Sequence, residues 1–229
     1  MKRIAVTMNV KDSVYKNDRL NQNYIEYLQK LDIQPILIPN SICDPIEYCK
    51  QFKVKGIILT GGSDISRSLV NAPPNLRRGK SNGRDYVEWK LLEMALTKKL
   101  PVLGICRGMQ FINIFFGGVI IYNIKNMINN TIKHVRNKHQ IIITDSKFIK
   151  TIGSANFTVN SFHNHGIIRD VVAPDLHPFA LCSRDDIIEG IYHLKYPIIG
   201  IQWHPERNGS TCEYDFKLVQ TFFYKGKFW

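Results

Sequence analysis

The stretch Leu100-Pro-Val-Leu-Gly-Ile-Cys106-Arg-Gly-Met-Gln-Phe-Ile-Asn-Ile-Phe-Phe-Gly-Gly118 decides how the rest of the chain is read. The apolar run from Pro101 to Ile105 reads as a short strand, and Met109 to Phe116 carries helical spacing closed by Gly117 and Gly118. Cys106 therefore falls on a strand-to-helix turn. Gly104 and Gly108 flank it as Gly-x-Cys-x-Gly, the thiol counterpart of the Gly-x-Ser-x-Gly elbow, where a strained turn exposes the nucleophile and neighbouring side chains must be absent. The following helix aims its N-terminal N–H groups at the sulfur, which favours thiolate over thiol. Two blander readings compete: free cysteine is commonly an inert core residue, and Pro101 to Ile124 is long and mostly apolar. Arg107, Gln110, Asn113 and four glycines interrupt that segment, and an unpaired arginine at mid-membrane is costly, so no membrane span is expected.

The chain has 229 residues, 44% hydrophobic and 22% charged, without a fixed-period repeat, and reads as one domain, 1–229. Five cysteines (43, 49, 106, 182 and 212) without a C-x-x-C pair argue against a disulfide framework or a zinc ribbon. The first residues lack the apolar region of a secretion signal, so the cytoplasm is the expected compartment. The net charge of +12, from 31 basic against 19 acidic residues, is compatible with an anionic partner but does not by itself specify one. No zinc finger, ribonucleoprotein signature or basic helix with interleaved aromatics is present, so nucleic acid is not that partner.

In chain order, Lys2 to Met8 reads as a strand, Asn23 to Leu31 as a helix with Tyr24, Tyr27, Leu28 and Leu31 on one face, and Gln34 to Ile38 as a second strand. A short helix at Ile46 to Phe52 and a buried strand at Gly56 to Thr60 continue a βαβ alternation. Ligands of such sheets sit beyond the carboxyl ends of the strands, where Thr60-Gly61-Gly62-Ser63-Asp64 and Cys106 would lie. Ser63 to Gly83 reads as an irregular loop, either a lid over the site mouth or a solvated linker, carrying Arg67, Arg77, Arg78 and Lys80 with Arg84 just beyond. Asp85 to Lys98 is a helix with Trp89, Leu92 and Leu96 inward. Strands at Lys138 to Thr144, Phe157 to Asn160, Pro178 to Cys182, Ile187 to Tyr192 and Pro197 to Gln202 suggest an added smaller section, mixed or antiparallel, in the second half. A helix from Glu213 to Tyr224 follows. The fold class is α/β, a doubly wound, mostly parallel sheet flanked by helices.

A cysteine nucleophile needs a base, and Gly200-Ile-Gln-Trp-His204-Pro-Glu206 supplies one directly after a strand. His204 can take the thiol proton while Glu206 fixes the other ring nitrogen. Acyl transfer also needs donors for a developing oxyanion, and the Gly62 and Arg107 backbone N–H groups meet that need.

Taken together, Thr-Gly-Gly-Ser-Asp at 60–64, Arg84-Asp85 with Glu88, Leu-Gly-Ile-Cys-Arg-Gly-Met-Gln at 103–110, Asn-Ser-Phe-His at 160–163 and Gly-Ile-Gln-Trp-His-Pro-Glu at 200–206 resemble the class I glutamine amidotransferase-like superfamily, of flavodoxin-like fold. Within it the chain is similar to stand-alone gamma-glutamyl hydrolases, including those acting on gamma-glutamyl-gamma-aminobutyrate and gamma-glutamyl-CDP-amidate. The resemblance implies Cys106, His204 and Glu206 as a triad, Gly62 and Arg107 as oxyanion donors, and Gly61 and Gln110 beside the glutamyl group. It also implies that Asn160, Ser161, Phe162, His163 and Asn164 line the substrate. Two departures, His165 where relatives carry Gln and Tyr122-Asn123 where they carry Gln-Asp, lie on the expected acceptor side.

No cofactor is implied. His163, His165, His204 and Glu206 lack the helical His-Glu-x-x-His geometry of a hydrolytic zinc centre, so metal catalysis is not expected. His134, His139, His177 and His193 read as surface or packing residues. Arg77, Arg78 and Arg84 are expected to bind an anionic leaving group, which makes a nucleotide-linked gamma-glutamyl phosphoramidate, used in capsule modification, the expected substrate. A polyamine-type or gamma-aminobutyrate conjugate is the alternative, as is a glutaminase subunit passing ammonia to a separate synthase; a homodimer stays open.

Overall fold

The computed structural model describes residues 1–11, 16–80, 83–127, 132–185, 187–207 and 212–229. The chain runs β1 (Lys2–Thr7), β2 (Asn9–Lys11), β3 (Asn17–Arg19), α1 (Gln22–Lys30), β4 (Ile33–Ile38), α2 (Pro45–Gln51), β5 (Ile57–Leu59), α3 (Arg67–Val70) and a 3₁₀ helix (Pro74–Lys80). It continues α4 (Gly83–Lys98), β6 (Val102–Ile105), α5 (Arg107–Phe115), α6 (Ile124–Met127), β7 (Val135–Ile143), α7 (Ser146–Ile152) and β8 (Asn156–Phe162). A 3₁₀ turn (Arg169–Val171), β9 (Leu176–Cys182), β10 (Ile188–His193), β11 (Ile198–Ile201) and α8 (Cys212–Lys225) complete it.

Nine strands form one sheet in the order β4-β1-β5-β6-β11-β10-β9-β7-β8. The first five are parallel, and β10, β9, β7 and β8 extend the sheet in antiparallel fashion. The expected doubly wound sheet with an added strand section is therefore what forms, the addition being continuous with the main sheet. β5, β6 and β11 are fully buried runs of isoleucine, leucine, valine and glycine, as strands covered on both faces must be. Register pairs Leu59 with Gly104 and Ile105 with Ile201, so the carboxyl ends of these three neighbours are level. One face is covered by a core including Trp89, Leu92, Phe111 and Ile112, the other by a core including Leu28, Phe148, Trp203 and Phe222.

Local chemistry sets the helix starts. Asn21, Asp44 and Asp145 each accept a backbone N–H in the first turn of α1, α2 and α7, and Gly153 ends α7 at φ 89°. Helix α7 and the β2–β3 hairpin are absent from the sequence reading; the hairpin strands are three residues each and mostly polar.

The stretch 63–83 is not the irregular loop expected from sequence. It contains α3 and the 3₁₀ helix, with Leu69 and Val70 buried. Arg77 explains the order: it is 3% exposed, its Nη1 donates to the carbonyls of Ile114 and Gly118 at 2.8 Å, and its Nε donates to Ala72 O at 3.1 Å. The guanidinium thus closes the orphan carbonyls at the end of α5. Residues 81 and 82 and the Lys80 side chain lie outside the described residues. Among the described residues, no helix is long and apolar enough to cross a membrane.

A Cβ built on Gly108 would stand 2.1 Å from the Leu59 carbonyl oxygen, which belongs to a central strand and cannot yield. Gly108→Ala is therefore expected to destabilise the chain by about 3 kcal/mol, read as a lowered midpoint in denaturant unfolding; an unchanged midpoint would contradict this packing.

Candidate active site

Three neighbouring strand ends supply the parts. β6 ends at Ile105, and the chain turns into α5 through Cys106 at φ 53° and ψ −105°, a left-handed backbone that non-glycine residues adopt only under constraint. Cys106 is the N-cap of α5, yet its side chain makes no capping hydrogen bond, so the sulfur is not committed to the helix. Its N–H donates to Ile201 O at 2.7 Å, tying the elbow to β11. Gly104 is needed because a Cβ there would meet the Gly108 backbone at 2.6 Å.

After β11, His204 is buried and its Nδ1 lies 2.7 Å from Glu206 Oε1. The Cys106 sulfur lies beside the imidazole, close enough for its charge to act on the ring. Burial alone would lower its pKa, but the Cys106 and Glu206 charges outweigh burial and lift it to about 9. Asn160 at the end region of β8 holds the His204 backbone on both sides, donating from Nδ2 to its carbonyl at 2.8 Å and accepting its N–H on Oδ1 at 2.9 Å. Trp203 donates to Asp215 of α8 at 2.7 Å, so the base-bearing segment is pinned from behind.

The turn after β5 completes the arrangement. A Cβ on Gly61 would come 2.7 Å from the His204 ring and 3.6 Å from Cys106 Cβ. Gly62 sits at φ 129°, where a side chain would be strained. The Gly61 N–H donates to the Tyr24 hydroxyl at 3.0 Å, and the Glu206 charge acts on that hydroxyl. Burial, followed by the Glu206 charge, pushes the Tyr24 pKa well above its ordinary value, so the phenol keeps its proton. Sequence reading placed Tyr24 only on the apolar face of α1; a hydroxyl on an otherwise greasy helix face was the available signal.

Beneath the elbow lies a buried charge network. Arg107 pairs with both Asp85 and Glu88, and Arg84 Nε pairs with Glu88 at 2.8 Å. Thr7 Oγ1 adds a hydrogen bond to Glu88 at 2.8 Å, while Arg84 Nη2 donates to Thr60 O at 2.6 Å and Nη1 to Gly61 O at 3.1 Å. Two guanidiniums and two carboxylates balance here; breaking one pair would leave a buried charge at a cost of about 3–5 kcal/mol.

These contacts correct the expected anion site. Arg84 braces the Gly61 turn, Arg77 closes α5, and Arg78 is exposed and paired with Glu93 at 2.8 Å. The segment 160–164 divides by strand alternation. Asn160 and Phe162 face His204, the Phe162 ring edge-on at 5.9 Å, whereas Ser161 donates to the His134 carbonyl at 2.7 Å and His163 is buried beside it. Asn164 is exposed and its carbonyl accepts from Ile124 N–H at 2.8 Å. Gln110 donates to the His165 carbonyl at 2.9 Å and to Gln202 at 3.2 Å. The two residues singled out as departures meet: the Tyr122 and His165 rings are 4.8 Å apart, and Arg67 stands over Tyr122 at 5.5 Å. His134, His139 and His193 are all buried, so none is a surface residue.

Residues 3–206 match the family described as Peptidase C26. The chain belongs to this family. A putative glutamine amidotransferase-like protein, YvdE, of Lactococcus lactis is 31% identical over 211 residues, covering 88% of this chain and 86% of the relative. The gamma-glutamyl-CDP-amidate hydrolase of Campylobacter jejuni is 34% identical over 157 residues, covering 69% of this chain and 64% of that protein. Among solved structures, a glutamine amidotransferase of Thermotoga maritima shares the fold with a TM-score of 0.61 at 14% identity, over 96% of this chain and 82% of that one.

The His204 imidazole is expected to titrate near pH 9, read from its ring proton shift by NMR. Because this value lies above the ordinary 6.5, the pairing stabilises the folded chain fully below pH 6.5 and is lost as pH rises through about 9. Glu206→Gln should lower the midpoint by about 1–3 pH units. A wild-type midpoint at or below 6.5 would contradict the pairing.

Proposed function

We propose that this chain is a cysteine-dependent hydrolase that cleaves a gamma-glutamyl amide through a glutamyl thioester. One observation carries the reading: a strained N-cap cysteine, uncommitted to its helix, meets an imidazole braced at 2.7 Å by a buried carboxylate. The Cys106 thiolate attacks the gamma carbonyl, and the Gly62 and Arg107 N–H groups receive the oxyanion. The carbon–nitrogen bond breaks as the His204 imidazolium gives its proton to the departing nitrogen. Water then attacks the thioester, His204 takes a proton from it, and glutamate leaves with the thiolate–imidazolium pair restored. Gly61, Gln110, Asn160 and Phe162 flank the glutamyl group. Tyr24 stays neutral beside Glu206 in both steps.

The leaving group is a nucleotide-linked phosphoramidate. Supporting this are the net charge of +12 and the name of the Campylobacter jejuni relative, a gamma-glutamyl-CDP-amidate hydrolase. With Arg77, Arg78 and Arg84 committed elsewhere, Arg67 over Tyr122 and Arg207, which stands over the Phe162 ring at 4.4 Å and 3.7 Å from Glu206, are the cations we assign to the leaving group. A guanidinium there suits phosphate oxygens.

The test compares kcat/KM for gamma-glutamyl-CDP-amidate and gamma-glutamyl-gamma-aminobutyrate at low and high salt, in wild type, Arg67→Ala and Arg207→Ala, with Cys106→Ala as the null enzyme. The nucleotide substrate should be preferred, lose efficiency with salt, and fall about 10-fold in each arginine variant. Cys106→Ala should lose about 10⁴-fold. A preference for the aminobutyrate conjugate, indifferent to salt and to both arginines, would overturn the leaving group while leaving the cysteine chemistry standing. Near wild-type turnover by Cys106→Ala would overturn the hydrolase itself.

A further inference from the structure

The face of β8 turned away from Cys106 carries a cluster that the hydrolytic steps do not use. His163 lies there with His134, His139 and Glu189, all buried. Hydrogen bonding fixes how these rings are presented. His163 Nδ1 is 2.9 Å from the His165 carbonyl; a carbonyl can only accept, so Nδ1 carries the hydrogen and Nε2 offers a lone pair. That Nε2 has no hydrogen-bond partner among the described residues and faces Glu189 Oε1 across 3.6 Å. His134 Nε2 is 3.0 Å from Asp185 Oδ2 and donates to it, which turns the Nδ1 lone pair toward Glu189 Oε1 at 3.7 Å. The remaining neighbour of that nitrogen, Ser161 Oγ at 3.3 Å, has committed its proton to the His134 carbonyl. His139 Nε2 donates to Glu189 Oε1 at 3.0 Å and anchors the carboxylate, whose Oε2 has no partner among the described residues.

His163 Nε2 and Glu189 Oε2 are thus buried polar atoms without a hydrogen-bond partner among the described residues, and a cation held between His134, His163 and Glu189 would engage them. The spacing fits one: ligand atoms of His134, His163 and Glu189 lie within 4.8 Å of one another. Bonds of about 2.0–2.2 Å in a tetrahedron place ligand atoms about 3.4 Å apart, close to the 3.6 and 3.7 Å from each imidazole to Glu189, while the two imidazole nitrogens lie within 4.8 Å of each other. The outer bonds fit as well. Metal-ligating histidines usually donate their other ring N–H to a carboxylate or a carbonyl, as His134 does to Asp185 and His163 to His165. A cavity of about 320 Å³ lined by Asn123, Ile124, Lys133, His134, His163 and Asn164 gives access from outside. A second grouping, His134 with Cys182 and Asp185, would use the His134 nitrogen already donating to Asp185.

We propose that His134 Nδ1, His163 Nε2 and Glu189 form a zinc site separate from the hydrolytic centre, with a water as the fourth ligand. Zinc suits two imidazoles and a carboxylate. The ion joins the entry to β7, the exit of β8 and β10, three separate segments of the antiparallel part of the sheet. It also reaches toward the active site without entering it: the His165 carbonyl that accepts from His163 accepts from Gln110 too, so the metal fixes the wall against which Gln110 is held.

The test uses the full chain, stripped with a chelator and then dialysed against zinc, with metal counted by mass spectrometry and thermal stability followed. One zinc per chain, a Tm that rises with zinc concentration, and loss of both in His134→Gln and Glu189→Gln but not in Cys106→Ala are expected. Cobalt substitution of the unaltered chain keeps the proposal testable if those variants fail to fold: d–d bands of a nitrogen and oxygen site should appear without a thiolate-to-cobalt charge-transfer band. Failure of the wild-type chain to bind zinc stoichiometrically, zinc retained in both variants, or a thiolate band marking Cys106 or Cys182 as the ligand would each overturn it.

Discussion

The close approach of three strand ends is the constraint on which the site depends. β5, β6 and β11 are parallel neighbours in level register, so whatever follows each strand is delivered to one place. The elbow can sit there only because Gly104 and Gly108 let α5 press against β6 and against the Leu59 carbonyl. Cys106 absorbs the turn as a positive φ. Its strain is sustained by bonds on either side, from its own N–H to Ile201 and from the Arg107 side chain to Asp85 and Glu88. The backbone that stabilises the fold and the backbone that presents the sulfur are the same atoms.

Electrostatics organises the space around that elbow in two layers. The inner layer is the line Gly61, Tyr24, Glu206, His204 and Cys106, with Gly61 bonded to Tyr24 and Glu206 to His204, in which a neutral phenol and a carboxylate flank an imidazolium. The outer layer is the Arg84, Arg107, Asp85 and Glu88 network, which fixes the Thr60–Gly61 carbonyls from below. Buried ion pairs contribute little net stability, but their geometry is costly to break, and here it fixes two of the three strand-end turns.

Much of this was legible in the sequence because the relevant signals are local. Gly-x-Cys-x-Gly between an apolar run and a helical spacing places the elbow, and His204-Pro-Glu206 after Gly200-Ile-Gln-Trp places the base. The alternation of strands and helices up to Ile105 gives the parallel sheet for the same reason. What was not legible depends on long-range partners. Arg77 looks like any loop arginine until the end of α5 is found beside it, and Arg84 looks like a rim cation until Glu88 and the Gly61 turn close over it. Tyr24 follows the apolar period of α1, so its hydroxyl is hidden within a packing signal. The histidines at 134, 139 and 163 are separated along the chain and meet only when β7 and β8 pair.

The claim on which the chemistry turns is that Cys106 carries the acyl group. Rapid acid quench of the unaltered chain during turnover of a gamma-glutamyl amide, followed by mass analysis of the peptide containing Cys106, examines it directly. A glutamyl group on Cys106, appearing before free glutamate reaches its steady rate and absent from the peptides containing Cys49 and Cys182, is the expected result. Steady glutamate release with the Cys106 peptide unmodified at every quench time, including at high pH where the proton on His204 is gone, would contradict it.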